Sequence, residues 1–156
     1  MGNRAVICHS KNKNSTAIYV HWNGGLESVL AFLEVCRRRG YRDPTYDSGY
    51  GMARLCGLIC EFFDGALSVG IGPLSTLDTD NHDNGTYLIG EGWTIKERFG
   101  AGSKPTRTLD ALTTEQRKQY DDMVNELTKT HYGRSKYEDQ DKRTVRRCAG
   151  LGCGEV

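Results

Sequence analysis

No stretch of this 156-residue chain approaches the ~18 consecutive apolar residues that a membrane-crossing helix needs. An integral membrane protein of the helical kind is therefore excluded. An excess of one charge is also missing. The 21 Lys+Arg oppose 20 Asp+Glu, so the net charge of +1 argues against a general polyanion binder and leaves room only for local basic patches. Apolar residues are scarce at 37%, and there are 3 prolines. The first residues, Met1 to Val6, include no apolar secretory stretch, and position 6 lacks the Ser or Thr of a myristoylation signal. A soluble, cytoplasmic protein is expected, of a length that suits one compact domain or a domain with a tail.

Glycine and cysteine are what the chain has in quantity, with 19 and 6 respectively. Cys36, Cys56 and Cys60 fall among apolar residues of expected helices, where a reduced thiol acts as a small hydrophobe. Cys148 and Cys153 sit four residues apart in a glycine-rich end. No clear second pair with His partners accompanies them, so a flexible end is preferred over a zinc site.

Residues 4–9 and 16–22 are β-rich runs joined by Lys11-Asn12-Lys13-Asn14, which predicts a hairpin. Leu26, Val29, Leu30, Leu33 and Cys36 recur at three- and four-residue spacing, which predicts a helix over 26–39 stopped by Gly40. A second helix is expected over 50–63, then strands over 67–71, 86–89 and 93–99. The last two are joined as a hairpin around Gly90-Glu91-Gly92. Thr113 and Gln116 form a capping-box pattern at the start of a third helix that runs to Lys129. These elements predict an α+β fold: an antiparallel sheet of about five strands with two helices on one face. The expected organisation is a core domain over 1–103, a C-terminal helix over 104–131 and a polar, flexible tail over 132–156.

Three stretches could carry chemistry. His21-Trp22-Asn23-Gly24-Gly25 lies where a strand gives way to a helix. The unpaired amides and positive end of that helix would favour an anion such as phosphate, and Trp22 could stack on a base. The alternative is a tight turn with Trp22 in the core. Tyr46 to Arg54 is a second glycine-bearing loop entering a helix. There Tyr50 offers stacking and Arg54 offers charge, either to a ligand or to a carboxylate such as Asp47. Asp80, Asn81, Asp83 and Asn84 lie in an acidic, amide-rich loop suited to hydroxyl or amino groups. A calcium-loop pattern there starts at Asp80 but lacks the flanking helices it requires. No phosphate-loop or dinucleotide fingerprint and no complete catalytic motif is present. No metal and no cofactor is expected.

At residues 1–7, 21–25, 51–55 and 80–87 the chain resembles a family of small bacteriophage and prophage proteins without an assigned activity, over roughly residues 1–99. Leu26-Glu27 stands where relatives are expected to carry Arg-Asp. The resemblance implies work inside a host cell, with sequestration of a nucleotide immune signal as one such role. The reading is a non-catalytic protein that captures a phosphorylated, nucleotide-derived small molecule through His21, Trp22, Asn23, Gly24, Gly25, Tyr50, Arg54, Asp80, Asn81, Asp83 and Asn84. A homo-oligomer is expected because such capture uses a deep, shared pocket. Nucleic acid is not an expected partner. The alternatives are a protein-interaction inhibitor of a host factor and a metal-dependent enzyme acting on nucleotides or nucleic acid.

Overall fold

The computed structural model describes residues 2–129. Two strands, β1 (Ala5–Cys8) and β2 (Thr16–Val20), form the expected antiparallel hairpin, with Ala5 opposite Val20 and Cys8 opposite Ala17. Helix α1 (Leu26–Arg38) follows, then α2 (Ser48–Phe62), strand β3 (Val69–Pro73), strands β4 (Thr86–Gly90) and β5 (Thr94–Phe99), and helix α3 (Thr114–Lys129). The sheet order is β3-β2-β1-β4-β5. No described helix is long and apolar enough to cross a membrane.

The fold is α+β as expected, with one correction to the sheet. It is mixed, because β1 and β4 run parallel, Val6 opposite Thr86 and Cys8 opposite Leu88. The reason lies in the connection. After β3 the chain leaves one edge, crosses the sheet and enters on the far side of β1, and parallel neighbours need such a crossover. Leu74 and Leu77 on this crossing segment pack against Val6, Cys8, Ala17 and Leu88, so the connection itself covers that face.

The other face carries the main core. Ile7, Ile18, Val20, Tyr87 and Ile89 of the sheet meet Val29, Phe32, Leu33 and Cys36 of α1 and Leu55 and Ile59 of α2. The third helix belongs to the same core: its Tyr120, Met123, Val124 and Leu127 are all buried. Three helices rather than two therefore lie on this side. The capping box forms as its sequence requires, the Thr113 amide donating to Gln116 Oε1 at 3.0 Å and the Gln116 amide to Thr113 Oγ1 at 3.2 Å. The tail over 132–156 lies outside the described residues.

Both sheet edges are blunted. The His21 amide donates to the Ser68 carbonyl and the Leu74 amide to the Ser15 carbonyl, which fixes the hydrogen-bond phase of β3. By alternation Val69, Ile71 and Pro73 then turn their backbone outward. The Val69 amide is taken by Ala66, Pro73 has no N–H, and Thr76 Oγ1 donates to the Pro73 carbonyl. On the opposite edge, Arg107 donates to the Lys96 carbonyl of β5.

Candidate ligand face at the start of α2

The bend before α1 is held from three sides. Asn23 adopts a positive φ of 57°, and its Nδ2 donates to Ser28 Oγ at 3.2 Å. The Gly24 amide donates to the Asn3 carbonyl at 2.7 Å, and the Tyr87 hydroxyl donates to the Gly24 carbonyl at 2.9 Å. A Cβ on Gly24 would lie 2.6 Å from the Asn3 carbonyl oxygen, so only glycine fits there. Gly24 and Gly25 are both buried.

The positive end of α1 already has an anion beside it. The carboxylate of buried Glu27 folds over Gly25, so close that a Cβ on Gly25 would lie 2.6 Å from Glu27 Oε1. Gln116 and Gln119 of α3 reach Glu27 Oε2 and Ser28 Oγ from above. Of the five residues expected to bind at this bend, Trp22 is the exposed one, at 44%, edge-on to the His21 ring at 5.0 Å. His21 Nδ1 is paired with the Tyr19 hydroxyl at 2.9 Å.

The loop before β4 is organised around its own backbone. Asn81, 1% exposed, accepts at Oδ1 from the amides of Asp83, Asn84 and Gly85, and donates from Nδ2 to the carbonyls of Asp78 and Gly85. Asp80 Oδ1 accepts from the Ala101 amide, and Asn84 Nδ2 donates to Asn3 Oδ1 and to the Arg4 carbonyl. Asp83 accepts from both the backbone and the guanidinium of Arg4, at 3.0 and 2.8 Å. The Arg4 guanidinium hydrogen bond is the main reason the Asp83 carboxyl sits below the ordinary carboxylate range. Stability from this pair is complete above that range. It is lost as pH falls through the lowered value. Asp83→Asn is therefore expected to flatten the acid limb of a stability-against-pH profile, measured by urea unfolding at a series of pH values. An unchanged limb would show that Asp83 does not carry it.

A different arrangement is open to solvent at 41–54. Asp43 Oδ1 accepts from the amides of Thr45 and Tyr46, its Oδ2 accepts from the Gly92 amide at 2.8 Å, and Asp47 Oδ1 caps α2 by accepting from the Tyr50 amide. Both carboxylates are thus occupied with backbone. The neighbouring cations are not neutralised by them: Arg42 and Arg54 form no ion pair among the described residues. The Arg54 guanidinium lies 5.0 Å from the Tyr50 ring centre and 5.6 Å from that of Tyr41, and Arg42 lies 5.3 Å from Tyr46. Tyr46 and Tyr50 are 76% and 61% exposed. Gly51 permits this layout, since a Cβ there would lie 2.7 Å from the Pro44 nitrogen and push the loop off α2.

The structure thus brings Tyr50 and Arg54 together on one exposed face. Tyr41 and Arg42 join this face without having been singled out from sequence. Their only signal was that the aromatic and cationic composition of 46–54 already begins at residue 41. Among the described residues no group of three or more His, Cys, Asp or Glu is placed to hold a metal. An open groove of about 460 Å³ lies elsewhere, between Leu109 and Asp121, and none of the expected binding residues lines it. No family model, no curated protein and no solved structure matches the chain.

Proposed function

We propose that this is a binding protein for a phosphorylated, nucleotide-derived small molecule, and that the face at Tyr41, Arg42, Tyr46, Tyr50 and Arg54 receives it. The observation that carries the reading is Arg54. It is an exposed guanidinium stacked on two tyrosine rings, while Asp43 and Asp47 of the preceding loop are committed to turns and a cap. Such a cation offers charge to a phosphate, while Tyr50 and Tyr46 offer flat surfaces to a base. The resemblance to phage proteins adds the setting, capture of a signal inside a host cell. An assembly of two or more copies belongs to the same reading, since a face this open would gain enclosure from a second protomer. Exposed Tyr and Arg on a flat surface also favour a second reading, docking to a host protein, because these residue types dominate interface energetics.

Equilibrium dialysis with ADP, adenosine and inorganic phosphate as probes separates them. Capture predicts that ADP binds, that it is recovered intact after denaturation, and that Arg54→Ala and Tyr50→Ala each weaken it about tenfold or more, the scale of one stacking contact. Full retention by both variants, or no binding by any of the three probes, sinks this reading and leaves protein docking.

A further inference from the structure

Strand β3 ends the sheet on one side, and its blunting stops short at one residue. Of the three residues that turn their backbone outward, the flanking two offer no donor. The Val69 amide goes to the Ala66 carbonyl at 3.1 Å, Pro73 has no N–H, and the Pro73 carbonyl accepts from Thr76 Oγ1 at 2.8 Å. Ile71 between them keeps an outward N–H and C=O, with no neighbouring strand among the described residues to receive them. Its side chain is 58% exposed. Charge does not guard this edge either: none of residues Gly65 to Leu77 is charged, in a chain that is 26% charged. The opposite edge strand, β5, carries Lys96, Glu97 and Arg98. We propose that β3 is a self-association edge, where a second copy of this chain pairs antiparallel with Ile71 against the partner's Ile71.

The occupant follows from the pattern of free and taken groups. A two-fold axis at Ile71, normal to the sheet, makes the two isoleucines a closely spaced pair that exchanges both N–H···O bonds. Two residues away on either side, Val69 meets the partner's Pro73. There a taken amide faces a taken carbonyl, and the Val69 carbonyl faces a nitrogen without hydrogen and stays with water at the end of the short ladder. A strand of ordinary sequence fits less well, since its carbonyls opposite Val69 and Pro73 both find no free donor. Pairing like with like also closes the assembly. Adding β3 to the β5 edge of another copy would build an open ribbon, but Arg107 already donates to the Lys96 carbonyl there and the strand's charges oppose it.

The side chains agree with this register. Ile71 lies opposite Ile18, which is buried in the helix-side core, and Val69 packs on that same core. Pairing therefore brings two exposed isoleucines together at the rim of the two cores and takes them out of water. Gly70 and Gly72 alternate onto the other face and place no side chain there to hold a partner off. One continuous sheet then runs through both copies, with the helices of both on the same side. None of these residues belongs to the ligand face, so pairing and ligand capture are independent and fail independently.

The test is sedimentation equilibrium of the full chain over a dilution series, with amide hydrogen exchange read by NMR on the same samples. The expected result is a dimer that dissociates on dilution. The Ile71 amide gains protection as protein concentration rises, while the Gly70 amide, bonded to β2, is protected throughout. Ile71→Lys sets two like charges against each other across the axis and raises the dimer dissociation constant about 100-fold or more. Because position 71 is exposed in the single chain, the variant keeps the circular dichroism of the parent. A monomer at every concentration overturns the proposal, including one that pairs only with an added extended peptide. So does a dimer indifferent to Ile71→Lys, a dimer whose Ile71 amide exchanges freely, or growth beyond two copies. The exchange measurement uses the unmutated protein and holds whether or not the variant folds.

Discussion

Asn81→Ala lowers the unfolding free energy by about 3 kcal/mol, read as a fall in the urea midpoint at constant slope. The size follows from what the side chain does. Three amides donate to its Oδ1, at 3.1, 3.1 and 2.9 Å, and its Nδ2 donates to two carbonyls, at 3.0 and 2.9 Å, in a loop where Asn81 and Gly85 are buried. Alanine leaves the three amides and the Asp78 carbonyl without these partners, while the Gly85 carbonyl keeps the Val6 amide, and each orphaned buried group costs about 1–3 kcal/mol before the loop relaxes or water enters. Asn81→Asp separates the two halves of the role. It keeps the oxygen for the three amides but cannot donate to the Asp78 and Gly85 carbonyls, so an intermediate loss is expected. Asn84→Ala removes two bonds at a half-buried site and should cost about 1 kcal/mol. An Asn81→Ala protein as stable as the parent would show that the loop is held by something else. A binding assay on this variant would chiefly report unfolding.

Leu127→Ala costs a similar amount, about 3 kcal/mol, because the side chain is 2% exposed in the layer between α3 and the rest of the core. Leu67→Ala is the contrasting case. That leucine is fully exposed after α2, and the change should stay within about 0.5 kcal/mol. Chemical denaturation of the two variants side by side checks whether α3 is structural or an appendage. Equal, small effects would mean that α3 leaves without consequence for the fold. The outcome bears on how function is tested. Deleting residues 104–156 removes Tyr120, Met123, Val124 and Leu127 from the core, so lost activity would reflect lost structure. Deleting 131–156 instead leaves every described core residue in place and also removes Cys148 and Cys153.

The candidate face was partly legible. Tyr50 and Arg54 stand out because an arginine in the first turns of a helix opposes the macrodipole and needs a reason. The structure places that cation on tyrosine rings, whereas Asp47, the carboxylate within reach in sequence, accepts from the Tyr50 amide as the helix cap. The glycine bend and the Asp80–Asn84 loop read equally well as ligand sites from composition. A carboxamide that binds a guest and one that binds its own loop are the same letters in sequence. Only burial and partners distinguish them, as the five internal bonds of Asn81 do.

The sequence by itself determined the local elements: both hairpins, the three helices and the Thr113–Gln116 cap. Their causes lie within a few residues, in periodicity, turn chemistry and reciprocal capping. Tertiary structure alone decided that β4 runs parallel to β1 and that α3 joins the core. Each of these joins residues tens of positions apart. Nothing in a short window encodes such contacts, which arise only when apolar faces distant along the chain find one shared place to leave water.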